Sequence, residues 1–144
     1  MRLVDANVLL YAVNEASDRH GRARAWLDPA LAGEEPLGFT WIVLLAFLRL
    51  ATHRAVFPRP LTVSDATDTV RRWLHQPAVV VVEPTARHVE VLGGLLAETG
   101  TAGNLVSDAH LAAIAVEYDA VVVSFDADFG RYRGVRWEQP EQFP

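Results

Sequence analysis

Hydrophobic positions along the chain follow two rhythms: short unbroken apolar runs, and longer stretches in which apolar residues recur every three or four positions. The first marks buried strands of a parallel sheet, the second helices packed on its faces. Arg2 to Val4 reads as a short first strand, and Ala6 to Val13 as a helix that Asp5 or Asn7 caps. A second helical stretch begins at Ser17, with Ala23, Trp26, Leu27 and Leu31 at near-helical spacing and Arg19, Arg22 and Arg24 on its outer face; the Gly33 to Pro36 turn ends it. Thr40 to Thr52 is apolar around nearly its whole circumference, with Trp41, Leu44, Leu45 and Leu48 on one side and Val43, Phe47 and Leu50 on the other. Such a helix must be covered on every side; the sheet covers one face, and a second chain is expected on the other. Pro58 and Pro60 then break the path ahead of a helix capped by Ser64 and running through Trp73.

Ala78 to Val82 and Val121 to Val123 are β-branched runs expected as two more buried strands, and Val135 to Trp137 is a candidate for a last one. Helices are predicted between them, from Thr85 to Glu98 and from Leu105 to Tyr118, separated by the Gly100 to Gly103 break. The order β-α-α-α-α-β-α-α-β predicts an α/β sandwich around a mostly parallel sheet. No internal repeat, low-complexity tract or linker interrupts the pattern, so residues 1–144 are expected to form one domain.

Composition narrows the reading. Hydrophobic residues make up 51% of the chain, too many for disorder. The longest apolar run, Trp41 to Leu48, is far short of the roughly 18 residues that span a bilayer, so no membrane association is expected. Asp5 interrupts any early signal-like apolar segment and cysteine is absent, which fits a cytoplasmic address. The net charge of −5 argues against a broad surface that coats nucleic acid, since such binding depends on basic neutralisation of phosphates. All 13 basic residues are arginine. Without a lysine there is no Walker A or Schiff-base site, and no glycine-rich dinucleotide fingerprint is present either.

Four acids stand beside apolar runs: Asp5 after Leu3-Val4, Asp108 ahead of Leu111-Ala112-Ala113, and Asp126 with Asp128 after Val121-Val122-Val123. Ligands of open parallel sheets collect outside the carboxyl ends of the strands, so acids there point to a site. Taken singly, Asp5 reads equally as a helix cap, and Asp126 and Asp128 read as turn residues. Asp108 is different. It shares a helix face with Leu111, Ala112 and Ala115, and an inward carboxylate needs a partner or a metal. Clustered carboxylates repel one another unless a cation sits among them, and oxygen-only ligands select hard ions such as Mg²⁺ or Mn²⁺. Such ions activate water and orient a phosphodiester, which makes phosphodiester hydrolysis the natural reaction class.

The residues resemble a known family. Leu3-Val4-Asp5-Ala6-Asn7-Val8-Leu9-Leu10, Asn104-Leu105-Val106-Ser107-Asp108-Ala109-His110-Leu111-Ala112-Ala113 and Val123-Ser124-Phe125-Asp126-Ala127-Asp128-Phe129 look like the three motifs of the PIN domain. In particular they resemble the VapC-type toxins of toxin-antitoxin modules. That resemblance implies a PIN-like α/β/α sandwich and a Mg²⁺-dependent endoribonuclease, with Mn²⁺ as a substitute. It makes Asp5, Asp108 and Asp126 the metal-binding catalytic acids, Asp128 an auxiliary ligand and Ser124 a small polar support. It also implies an RNA substrate, a homodimer and a cognate VapB-type antitoxin. One departure stands out: most members carry a glutamate where this chain reads Leu44-Leu45-Ala46-Phe47-Leu48-Arg49, with Ala46 at the vacant position. The alternative reading is therefore a catalytically weakened binding module that mainly complexes an antitoxin. A nuclease for structured DNA, found among related folds, fits less well with a chain of this length and charge. His110, two residues past Asp108, is expected to be structural or surface-exposed, and His20, His53, His75 and His88 show no metal spacing. Arg131, Arg133 and Arg136 are candidates for phosphate contacts or for a solvated face.

Overall fold

In the computed structural model, which describes residues 1–100 and 105–140, every strand is three residues long and every pairing is parallel. The elements are β1 (Arg2–Val4), α1 (Ala6–Val13), α2 (His20–Ala32), β2 (Leu37–Phe39), α3 (Trp41–Ala51), α4 (Val63–Leu74), β3 (Val79–Val81), α5 (His88–Thr99), α6 (Leu105–Glu117), β4 (Val121–Val123), a 3-10 turn (Ala127–Arg131) and β5 (Arg136–Glu138). Spatially the strands run β3-β2-β1-β4-β5. The chain thus builds outward from β1 in one direction, then returns to its other side with β4. Strand order reverses between β1 and β4, the place where open parallel sheets hold their ligands. Asp5 leaves β1 at that crest and Asp126 follows β4 closely.

The core explains why so short a sheet holds. Leu3, Val4, Phe39, Val122 and Val123 are fully buried, with Leu44 and Phe47 of α3 packed over them. Trp73 of α4 closes that side, its ring centroid 4.8 Å from Phe47 and 6.0 Å from Phe39. On α6, Leu111, Ala112, Ala113, Ile114 and Ala115 are all buried.

Several expectations change. Sequence periodicity gave no strand between Gly33 and Thr40, yet Leu37–Phe39 is β2, in register with β1 through Leu3 and Gly38. Glycine fits closely there, since a Cβ on Gly38 would lie 2.3 Å from Leu3 Cδ2 and 3.0 Å from Val82 Cγ2, so the buried Leu3 side chain would have to move. The Ala78 to Val82 run is a strand, but an edge strand: Val80 and Val81 are 41% and 43% exposed, because among the described residues β3 ends the sheet. The last strand is Arg136–Glu138, one residue later than expected. Ser64 is not the cap of α4; Thr62 is, its side chain accepting from Asp65 N at 3.0 Å. Helix α2 starts at His20 rather than Ser17, whose hydroxyl accepts from Arg19 N in a turn of its own. Helix α5 starts at His88 rather than Thr85, which is tied to Glu117 instead. Of the predicted Gly100 to Gly103 break only Gly100 is described, at positive φ of 70° closing α5; Asn104 also lies outside the described residues.

Candidate active site

Asp5 occupies the first position beyond β1 in extended backbone, its amide donating to Val123 O at 2.9 Å. It is both things its neighbours allowed. As the cap of α1, its Oδ1 accepts from Ala6 N at 2.8 Å; as a site residue, its Oδ2 accepts from Ser124 Oγ at 2.7 Å. Ser124 is completely buried. Its hydroxyl spends its single proton on Asp5 and accepts from Asn7 Nδ2 (2.9 Å) and Asp126 N (3.0 Å), so donor and both lone pairs are used. Asn7 completes the clamp: its Oδ1 accepts from Phe125 N at 3.1 Å, and its Nδ2 also reaches Asp5 Oδ2 at 3.3 Å. Asn7 was legible only as an alternative cap, because its partners are more than a hundred residues away in sequence.

Asp126 caps the 3-10 turn through Asp128 N, at 2.9 Å from its Oδ1. Asp128 is less central. Its side chain is 60% exposed and ion-paired with Arg131 at 2.9 Å. Asp108 projects from the first turn of α6, half-buried. Burial, then the charges of Asp5 and Asp126, push its carboxyl up to about 6, against the opposing pull of Arg131. Burial also raises Asp5, with Asp126 adding to it, while the Ser124 and Ala6 hydrogen bonds pull it back. The three acids therefore feel one another.

A cleft of about 360 Å³ opens beside them, lined in part by Asp5, Ser107, Asp108, Ala46 and Arg49. Ala46, the residue without the usual carboxylate, thus lines the same space as Asp5 and Asp108. The donor set suits a hard divalent cation: it is all oxygen, and the repulsion that raises Asp108 is what a cation would relieve. Among the described residues no three acidic or histidine groups close on one point, so an ion here would be completed by water, which Mg²⁺ retains in any case. A second cavity, about 400 Å³ between α2 and the sheet, holds Arg2 bonded to Glu35 at 2.6 Å and to Glu138 at 2.5 Å.

The remaining candidates separate. Of the three late arginines, Arg131 pairs with Asp128 and Arg136 with Asp119 at 2.8 Å, at the start of β5. Arg19 and Arg22, expected on the outer face of α2, lie 5.3 and 5.2 Å over the Phe125 ring. His110 is structural: its Nδ1 meets His88 Nε2 at 2.8 Å, and His88 Nδ1 meets Glu117 Oε2 at 2.6 Å. Glu117 also accepts from the amide and hydroxyl of Thr85, which together with His88 hold its carboxyl below the usual range despite burial. This brace fixes α6 against α5.

The PIN domain family model matches residues 2–135, nearly the whole chain. The chain belongs to the PIN domain family. Within that family this PIN domain is 55% identical over 140 residues to Ribonuclease VapC37 of Mycobacterium tuberculosis, covering 97% of both chains. Ribonuclease VapC33 of the same species is 41% identical over 97% of this chain and 98% of its own. Among solved structures the PIN domain superposes on VapBC2 from Rickettsia felis bound to a DNA fragment from its promoter, with a TM-score of 0.69 at 17% identity, covering 97% and 98%. It superposes likewise on Mycobacterium tuberculosis VapC20, described as a sarcin-ricin loop cleaving toxin (TM-score 0.66, 20% identity, 94% and 99% covered). These two likenesses bear out the five-stranded parallel architecture.

Proposed function

We propose that this protein is a divalent-metal-dependent endoribonuclease, the toxin of a toxin-antitoxin pair. The observation that supports the reading is the cleft shared by Asp5 and Asp108, with Asp126 tied to Asp5 through Ser124, at the β1/β4 crest of a PIN domain whose close relatives are named ribonucleases. Asp5, Asp108 and Asp126 would hold Mg²⁺ or Mn²⁺, with Asp128 at the rim. When bound, the ion supplies the activated water and the charge that stabilises the leaving oxygen. The chain's own part is positional. Ser124 and Asn7 fix the Asp5 carboxylate and tie the Asp126 loop to the start of α1, so two of the acids are set by packing before substrate arrives. Asp108, raised toward neutrality, is the acid whose ionisation the cation would complete.

The partner follows from kinship: VapBC complexes among the structural neighbours support a VapB-type antitoxin here, and the exposed side of α3, with Trp41 46% and Leu45 59% exposed, supports pairing with a second copy. The missing carboxylate at Ala46 is what the alternative of a weakened binding module rests on, but Asp5 and Asp108 line the same cleft. The test is cleavage of a mixed RNA pool by the antitoxin-free protein with Mg²⁺ or Mn²⁺, beside Asp5→Ala and an EDTA control. Cutting that requires both metal and Asp5 is expected. A folded protein that cuts no RNA class would replace the enzyme with the binding module.

A further inference from the structure

Arg49 lies one turn beyond Ala46 and Leu45 on α3 and lines the cleft that holds Asp5, Asp108 and Ser107. Five other arginines are ion-paired: Arg131 to Asp128, Arg2 to Glu35 and Glu138, Arg24 to Asp28, Arg71 to Asp68, Arg136 to Asp119. Arg49 forms no ion pair among the described residues and is exposed. Arg49, with no ion pair among the described residues, therefore lines a cleft that also holds two carboxylates, in a protein of net charge −5. A polyanion entering that cleft meets repulsion from Asp5 and Asp108, and Arg49 is the basic side chain among its lining residues. The wall is otherwise apolar, formed by Ile42, Val43, Leu45 and Leu111, so the guanidinium works beside low-dielectric surface, where a charge-assisted contact to phosphate is strengthened. Its planar fork suits two phosphate oxygens at once.

We infer that Arg49 is the phosphate-positioning residue of this site, gripping the backbone of a bound RNA strand on the wall that Ala46 leaves without a carboxylate. The inference rests on the ribonuclease reading and names what that reading lacked, a fixed positive contact for the substrate. Arg49 does not touch the reacting atoms; it sets where the strand lies relative to Asp5 and Asp108. The same residue also complements the dipole at the end of α3, and a purely structural role would act there through charge alone.

The test uses the full chain. Binding of a fluorescein-labelled, mixed-sequence single-stranded RNA is followed by anisotropy over a salt series in the cleavage-silenced Asp108→Asn background, with Arg49 intact, Arg49→Gln, Arg49→Lys and, as a control outside the cleft, Arg54→Gln. Arg49→Gln is expected to weaken binding about tenfold and to flatten the dependence of log Kd on log salt by about 0.7, the loss of one phosphate contact to a single strand. Arg49→Lys keeps most of the salt slope and recovers only part of the affinity, whereas Arg54→Gln changes neither. In otherwise wild-type protein, Arg49→Gln raises KM for RNA about tenfold and leaves kcat within about twofold. Unchanged Kd and slope in folded Arg49→Gln protein, or an equal loss in Arg54→Gln, overturns the inference while leaving the ribonuclease reading intact. Failure of the wild-type protein to cut any RNA overturns that reading, and this inference with it.

Discussion

At Asp108, burial and the charges of Asp5 and Asp126 act in the same direction and lift the carboxyl to about 6. The folded chain therefore holds that proton more tightly than the unfolded chain does. Ionisation weakens the metal-free fold as pH rises from the ordinary carboxylate range through about 6, and the whole penalty is present above it. Taken at face value the shift is worth about 3 kcal/mol; solvent screening at a half-exposed group reduces it to about 1 kcal/mol. Asp108→Asn cannot ionise, so it should melt a few degrees higher than wild type at pH 8 without metal, and the gain should fade toward pH 4. Differential scanning calorimetry at the two pH values checks this, and equal melting at both would remove the strain assigned to Asp108. The proton also competes with the cation, so Mn²⁺ affinity measured by titration calorimetry should fall as pH drops below about 6.

Among the elements, β2 shows how a three-residue strand depends on one missing side chain. At Gly38 the buried side chain of Leu3 occupies the space a Cβ would take, with Val82 beside it. Gly38→Ala should cost about 1–3 kcal/mol through overpacking, read as a lower denaturant midpoint with unchanged slope. The same glycine hid the strand from periodicity, since Leu37 and Phe39 alone make no apolar run. By contrast β1, β4 and α6 were legible, because their apolar residues are contiguous or helically spaced and each carries its aspartate at a fixed offset. The Ser124–Asn7 clamp was only half legible. Ser124 stood in a motif, but the link to Asn7 exists only because β1 and β4 are neighbours, a pairing no local pattern encodes. The valines of β3 carried the signature of a buried strand, yet burial is decided by position in the sheet, and β3 is at its rim.

At the scale of the whole molecule, the proposed ribonuclease of net charge −5 would have to draw an acidic substrate into one cleft. Helix α3 contributes to that arrangement from both sides: Phe47 and Leu44 are buried in the core, while Trp41 and Leu45 stand outside it. If that outer side joins two copies, the protein should sediment as a dimer, and Trp41→Asp with Leu45→Asp should yield a folded monomer; a wild-type monomer at micromolar concentration would leave the ridge free for another partner. The rim at β3 obeys a different logic. Pro77 and Pro84 flank the Ala78 to Val82 run, and neither can donate a backbone hydrogen bond. A foreign strand laid along Val79–Val81 would find a stub a few rungs long and then nothing to grip. Crowded copies of the chain can thus show bare valine to one another and stay dispersed, their guard against fibre growth made of proline in a sequence that has no lysine to serve as gatekeeper.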